Sequence, residues 1–209
     1  MALGMWVDGE VMPKEHIIKY PSSPKNINFI MDLSKLLAEL HQLPYDALLP
    51  DTSMFRIVDK LEMGLKEDNW KFCDEFKNFC ETSIKEIRKI QDNFTGQKYL
   101  HGDLWYQNII VTERGRLNGI IDWDNAQRGD PHWDMRMLRR WIGWKGLNKL
   151  IIYYNASTGE KLNTDYIRIL DKIALCHSYD LRYKKENPNK PASVIQDYIQ
   201  HWPESLWQK

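Results

Sequence analysis

Cysteines are few, neither sign of charge is in excess and no long apolar run is present, and each of these shortages closes off a class of protein. The three cysteines, Cys73, Cys80 and Cys176, are odd in number and sit at spacings that match neither a zinc site nor a disulfide framework. They read as core residues of a protein kept in a reducing compartment. Lysine plus arginine total 29 and aspartate plus glutamate total 29. A chain so balanced has no overall field to hold it against nucleic acid or anionic lipid, so neither is expected as a partner and any charged site must be local. No stretch approaches the roughly 18 to 20 consecutive apolar residues of a membrane span. The opening Met1-Ala-Leu-Gly-Met-Trp-Val-Asp8 has no basic segment and no apolar run of signal-peptide length. No membrane contact and a cytoplasmic location are therefore expected.

What is present suffices for a core: 209 residues, 43% hydrophobic and 12% aromatic, fit one domain or one and a half. Leu3 to Val7 followed by Asp8-Gly9-Glu10 reads as a strand ending in a turn, with no partner strand nearby in sequence. After a proline-marked connection, Ile30, Leu33, Leu36, Leu37 and Leu40 step at helical spacing within Ile27 to His41, with Asn26 as the candidate cap and Pro44 beyond its end. Trp70, Cys73, Phe76, Cys80, Ile84 and Ile87 mark a second amphipathic helix, stopped by Gly96. Tyr99-Leu100, Ile109 to Val111 and Leu117 to Ile121 are short β-prone runs, with Arg114-Gly115 as the turn between the last two. Helical spacing returns over Met135 to Trp144, Leu147 to Tyr154, Tyr166 to Leu181 (with Thr164 as its cap) and Ser193 to Trp202, with a loop at Lys184 to Pro191. The class expected is α+β, mainly helical, with a small hairpin.

Chemistry concentrates in His101-Gly102-Asp103-Leu104-Trp105-Tyr106-Gln107-Asn108 and, after a short interval, Ile120-Ile121-Asp122-Trp123-Asp124. Phosphoryl transfer needs a carboxylate to orient and deprotonate an attacking hydroxyl, and oxygen ligands to hold magnesium on the nucleotide phosphates. Asp103, Asn108 and Asp122 supply that set. The five-residue step from Asp103 to Asn108 matches the spacing of a kinase catalytic loop, and Asp122 follows a strand, where a metal-binding aspartate belongs. One amide and one carboxylate suffice for magnesium, which keeps several waters and takes phosphate oxygens besides.

These two segments, with Gly129-Asp130-Pro131-His132-Trp133-Asp134, resemble in order and separation the motifs of aminoglycoside phosphotransferases and their relatives, which share a protein-kinase-like fold. The resemblance implies Asp103 as catalytic base, Asn108 and Asp122 as ligands of the nucleotide-bound magnesium, and Asp134 as a buried carboxylate bonded to the catalytic-loop backbone. It makes His101 a support residue packed under the loop. Met5-Trp6-Val7-Asp8-Gly9-Glu10 is similar to the family's inter-lobe hinge, which implies nucleotide contacts at Trp6 and Val7, and Leu37-Ala-Glu-Leu-His41 resembles the family's helix ending in Leu-His. On that basis residues 1–12 read as a residual hinge strand and 13–209 as the kinase-like C-lobe. The implied partners are ATP or GTP with Mg2+ and a hydroxylated small-molecule acceptor: aminoglycoside-like, choline-like, a sugar or a macrolide. Antibiotic resistance is the corresponding physiological role.

The family's glycine-rich loop, strand lysine and helix glutamate find no match; Ile17-Ile18-Lys19 imitates the lysine motif but follows the hinge and has prolines around it. The chain reads as beginning inside the hinge, so slow or absent turnover is expected, with the face normally under the missing sheet left bare. Two other readings stand beside the kinase. One is a phosphohydrolase metal cluster of His101, Asp103, Asp122, Asp124 and His132, against which Asn108 has no purpose. The other is a degenerate kinase-like module that binds without catalysis. Glu160, Asp165, Asp180 and Glu186 face an amine-rich acceptor or merely solvate helices, and Trp133, Trp141 and Trp144 stack on an acceptor or fill the core.

Overall fold

The computed structural model describes residues 9–11, 24–44, 54–66, 74–94 and 97–186. Its elements are β1 (Glu10–Val11), α1 (Pro24–Gln42), α2 (Met54–Lys66), α3 (Asp74–Ile90), β2 (Lys98–Leu100), β3 (Ile109–Val111), β4 (Leu117–Ile120), β5 (Gln127–Gly129), α4 (His132–Thr158) and α5 (Thr164–Glu186), with 3-10 turns at Gln91–Asn93 and Tyr106–Asn108. The class is α+β, as the sequence implies. The chain divides into two compact units, Met1–Asp51 with Gly96–Thr164, and Thr52–Thr95 with Asp165–Lys209.

In the first unit α1 packs along α4. The stripe expected on α1 is the buried face except at Leu36, which is half-buried, and Phe29 joins it: Phe29, Ile30, Leu33, Leu37 and Leu40 meet a core that α4 supplies with Met135, Leu138, Ile142, Leu147, Leu150 and Tyr154. Burying a side chain of this size contributes roughly 1.5 to 3 kcal/mol. Ser34 adds a buried hydrogen bond from its hydroxyl to the Leu150 carbonyl, 3.3 Å. Helix α1 starts at Pro24, not after Asn26. Proline is well placed there, since the first-turn amides of a helix lack partners in any case.

The sheets are small and hold loops. Strands β1, β3 and β4 form one antiparallel sheet in that order, with Glu10 opposite Val111 and Ile109 opposite Ile120. Strands β2 and β5 form a second, pairing Lys98 with Gly129. Glu10, expected in a turn, is thus paired with β3. Gly9 turns the chain into it at φ 143°, and a Cβ there would lie 2.7 Å from the Val111 carbonyl oxygen. Residues 3–7, on which that strand was expected, lie outside the described residues.

Helix α4 is continuous in its span but not in its backbone. Gly143 sits at φ 67°, ψ 171°, so the two helices expected from the sequence are two limbs meeting at a kink. Only glycine occupies that region without strain. The second unit holds α2, α3 and α5, each with its own buried stripe: Val58 and Leu61; Phe76, Cys80, Ile84 and Ile87; Ile167, Leu170, Ile173 and Cys176. Arg88 of α3 reaches both Glu62 and Asp59 of α2, and Lys172 of α5 pairs with Glu86 of α3 at 2.7 Å. Cys80 and Cys176 are buried, the core role expected of them; Cys73 lies outside the described residues. Helix α5 runs to Glu186, three residues into the segment expected to be a loop, and residues 193–202 are not described. Among the described residues no helix is long and apolar enough to cross a membrane.

Candidate active site

Asp103 follows β2 by three positions, Asn108 immediately precedes β3 and Asp122 follows β4 by two. Because Ile109 faces Ile120 across the hairpin, Asn108 and the segment entering Asp122 lie at the same end of the ladder, where opposed backbones are about 5 Å apart. Hydrogen bonds draw the three positions together. The Asn108 side-chain amide donates to the Asp103 carbonyl at 2.9 Å, and the Ile121 amide donates to the Asn108 carbonyl at 2.9 Å.

The use of the Asn108 amide group has a chemical consequence. Its nitrogen is spent on the loop, which leaves Oδ1 as the free end, and an oxygen is the donor magnesium takes. The carboxylates of Asp103 and Asp122 make no hydrogen bond or ion pair among the described residues. Asp122 is exposed and is the one described non-glycine residue with positive φ, 64°. Left-handed backbone at a side chain of this kind costs about 1 to 3 kcal/mol, and such strain clusters where a side chain must be aimed. Two hard oxygen donors at one hairpin end fit magnesium.

His101 joins the two loops. Its ring is fully buried; Nδ1 accepts the Asp103 amide at 3.2 Å and Nε2 lies 3.0 Å from the Ile121 carbonyl oxygen. The neutral tautomer carrying its proton on Nε2 satisfies both contacts. The Trp123 ring covers it at 4.6 Å between centroids, and the indole N–H bonds the Ile120 carbonyl at 3.2 Å. Ile121 is therefore held through both its amide and its carbonyl by the loop from His101 to Asn108, and the Asp122 position follows from that.

Asp134, in the first turn of α4, is fully buried and accepts three hydrogen bonds: Gly102 N–H to Oδ1 at 2.8 Å, and His101 N–H and His41 Nε2 to Oδ2 at 2.9 and 3.2 Å. Burial alone would push its carboxyl up, but the hydrogen bond from His41, with those from the Gly102 and His101 amides, holds it below the usual carboxylate range. The start of the helix also favours a carboxylate there. Beyond His41 stands Tyr154, whose hydroxyl is 2.9 Å from Nδ1 and whose own ionisation is pushed up, by burial first and then by Glu160, Asp130 and Asp134. Gly102 has φ 84°, and a Cβ there would sit 2.2 Å from the Asn125 carbonyl oxygen, so no other residue fits.

Both ring nitrogens of His132 are engaged, Nδ1 with the Asp130 carboxylate and Nε2 with the Asn163 amide at 3.0 Å. With His101 occupied likewise, neither histidine of the hydrolase reading is offered to a metal, and no group of three or more His, Cys, Asp or Glu among the described residues is arranged to hold one. Trp144 is buried, and the Arg136 guanidinium lies 3.6 Å over the Trp133 ring, so these two tryptophans serve packing. Glu160 pairs with Lys98 at 2.9 Å and Asp165 with Arg168 at 3.6 Å. Trp6, Val7 and the Ile17-Ile18-Lys19 segment lie outside the described residues, as do the side chains of Trp141, Asp180 and Glu186. The roles of His41 and Tyr154 escape the sequence. The available signal is that His41 falls four residues after Leu37 on the apolar stripe of α1, and a histidine so placed ordinarily reads as a satisfied core residue.

A mainly helical body, a short hairpin leading into Asp122 and a buried aspartate bracing the amides before Asp103 define the phosphotransferase class of kinase-like fold. Residues 2–166 match the sequence profile of the phosphotransferase enzyme family, and the chain belongs to that family. The uncharacterized protein YcbJ of Bacillus subtilis (strain 168) is 22% identical over 162 residues, 70% of this chain and 49% of that protein. This chain thus spans about half the length of the curated relative. Among solved structures, the GDP and kanamycin complex of APH(2")-IIia superposes with a TM-score of 0.73 at 18% identity, over 97% of this chain and 68% of that one. The choline kinase LicA from Streptococcus pneumoniae gives 0.63 at 16% identity, over 93% and 68%. At such identities the structural likeness establishes the fold.

Proposed function

We propose that this chain carries the catalytic face of an enzyme that transfers the γ-phosphoryl group of ATP or GTP to a hydroxyl of a small molecule. The observation that supports it most is the bonded succession Asp103 O to Asn108 Nδ2 and Asn108 O to Ile121 N, which brings the loop carrying Asp103 and Asn108 against the segment that leads into Asp122. In this reading Asp103 orients the acceptor hydroxyl and takes its proton as the phosphorus–oxygen bond forms, and the nucleoside diphosphate leaves. Asn108 Oδ1 and the Asp122 carboxylate hold Mg2+, which would draw charge from the phosphate oxygens. His101 and Asp134 support the loop. Residues 1–12 serve as the hinge strand, with Trp6 and Val7 along the nucleotide, and residues 13–209 as the C-lobe. Rate enhancement comes from positioning and from fixed charge.

The acceptor is a hydroxylated compound, aminoglycoside-like, choline-like or a sugar; kanamycin and choline are what the matched structures name for those proteins. An aminoglycoside acceptor would make the enzyme an antibiotic-resistance factor, and a cytoplasmic location would give it its nucleotide. The test is transfer of label from γ-phosphate-labelled ATP and GTP to a panel of aminoglycosides, choline, sugars and macrolides, comparing the unaltered chain with Asp103→Asn. Transfer is expected to fall ~10²- to 10⁴-fold in the variant with nucleotide affinity kept. Transfer that Asp103→Asn leaves intact contradicts the assignment. Magnesium-dependent nucleotide binding with no transfer to any acceptor instead favours the non-catalytic module.

A further inference from the structure

We infer that His41 is a positioning residue for phosphoryl transfer: backed by the Tyr154 hydroxyl, its imidazole fixes the Asp134 carboxylate, and through it the two backbone amides that set the Asp103 loop. The inference rests on the phosphotransferase reading of the site given above.

The contacts run in one unbroken line. Tyr154 OH meets His41 Nδ1 at 2.9 Å, His41 Nε2 meets Asp134 Oδ2 at 3.2 Å, and Asp134 receives the amides of His101 and Gly102 at 2.9 and 2.8 Å. Asp103 is the next residue. All four side chains in the line, Tyr154, His41, Asp134 and His101, are buried at 2% exposure or less, so no water competes for their hydrogen bonds. With the proton on Nε2, the imidazole donates to the carboxylate and accepts from the tyrosine, and every polar atom of the ring is used.

Geometry gives His41 a task that the two amides alone leave undone. Consecutive amides of a chain approach Asp134 from the loop side, one on each oxygen, and a carboxylate turned about its Cβ–Cγ bond would release one or both. His41 reaches Oδ2 from a different helix, α1, and stops that rotation. The imidazole is in turn immobilised, its ring edge-on to Tyr154 at 5.5 Å and 67°. Asp134 and Tyr154 belong to the two limbs of α4 on either side of the Gly143 kink, so the histidine ties both limbs to the loop at once. Gly102 needs such a hold, because glycine at φ 84° has no side chain to keep it in that conformation.

The variants His41→Leu, His41→Gln and Tyr154→Phe test this by steady-state kinetics and by residue-resolved amide hydrogen exchange on the full chain. His41→Leu is expected to lower kcat by about tenfold or more with the nucleotide KM nearly unchanged, the pattern of an interaction needed in the transition state. The His101 and Gly102 amides should exchange at least ~10-fold faster while those of Ile109–Val111 hold their rates, which marks a local opening. His41→Gln, which keeps an N–H within reach of Asp134, should recover most of both effects, and Tyr154→Phe should show a smaller loss in the same direction. A kcat that stays at the wild-type value, or exchange that rises equally across α1, β3 and α4, overturns the inference and leaves His41 a packing residue. If His41→Leu does not fold, His41→Gln and Tyr154→Phe carry the same comparison. Absence of turnover in the unaltered chain defeats the phosphotransfer reading alone, and the exchange ratio then decides by itself whether His41 holds the loop.

Discussion

Two buried residues, Asp134 and Gly102, carry opposite kinds of constraint. Asp134 is a charge that must be satisfied: removing one partner of a buried ion costs about 3 to 5 kcal/mol, since the remaining charge has no water to turn to. Its carboxyl binds a proton less readily folded than unfolded. Its stabilising contribution is thus fully present above the ordinary carboxylate pKa of about 4 and is lost as pH falls through the lower folded value. Urea unfolding followed from neutral pH downward should show a steep loss below that point, and a shallower one in Asp134→Asn. Equal slopes would mean that the carboxylate is not held charged. Gly102 is instead a matter of space. Its φ of 84° and the 2.2 Å approach of the Asn125 carbonyl predict that Gly102→Ala costs about 2 to 5 kcal/mol in chemical denaturation, strain and overlap together. A variant within 0.5 kcal/mol, the ordinary range for a surface change, would show that the loop shifts freely. At this scale the sequence announces Asp103, Asn108, Asp122 and Asp134 by their spacing and neighbours. It does not announce Tyr154, whose partner lies 113 positions away and whose own neighbours make it look like one more apolar contact of α4.

Among the elements, what the sequence reveals depends on whether an element is made by its own pattern or by its partner. Helix α1 and strand β3 are legible because their side chains alone dictate them. Strand β5 is not: Gln127-Arg128-Gly129 has no β-prone residue, and it is a strand because Tyr99 and Leu100 of β2 pair with it. Helix α2 has Val58 and Leu61 buried at helical spacing, yet Gly64 near its end weakens the signal. The kink of α4 is signalled by Gly143, and the break between the two expected helices falls close to it. Gly143→Ala should cost about 1 to 3 kcal/mol, because φ 67° with ψ 171° is open to glycine alone. Thermal unfolding measures it; a variant as stable as the parent would mean that the limbs straighten without loss, and that His41 does not bind two fixed ends.

Over the whole molecule, the family assignment and the α+β fold agree with the motifs around residues 101–134, while the acceptor is the least legible part. The reason is physical. Catalytic and metal-binding groups need fixed residue types at fixed steps, whereas an acceptor site is built from shape, and shape comes from contacts that no local pattern encodes. The charged and aromatic residues that could have ranked acceptors, Glu160, Asp165, Trp133 and Trp144, are engaged within the protein. Everything functional therefore returns to the convergence of Asp103, Asn108 and Asp122. Magnetic resonance with Mn2+ replacing Mg2+ and a non-hydrolysable ATP analogue tests it most directly, since the paramagnetic ion broadens signals only near its site. The amides of Asp103 and Asp122 and the side-chain amide of Asn108 should broaden together at the lowest Mn2+ levels, and Asp122→Ala should abolish the effect. Broadening confined to one of the three, or centred on another surface, would contradict the account.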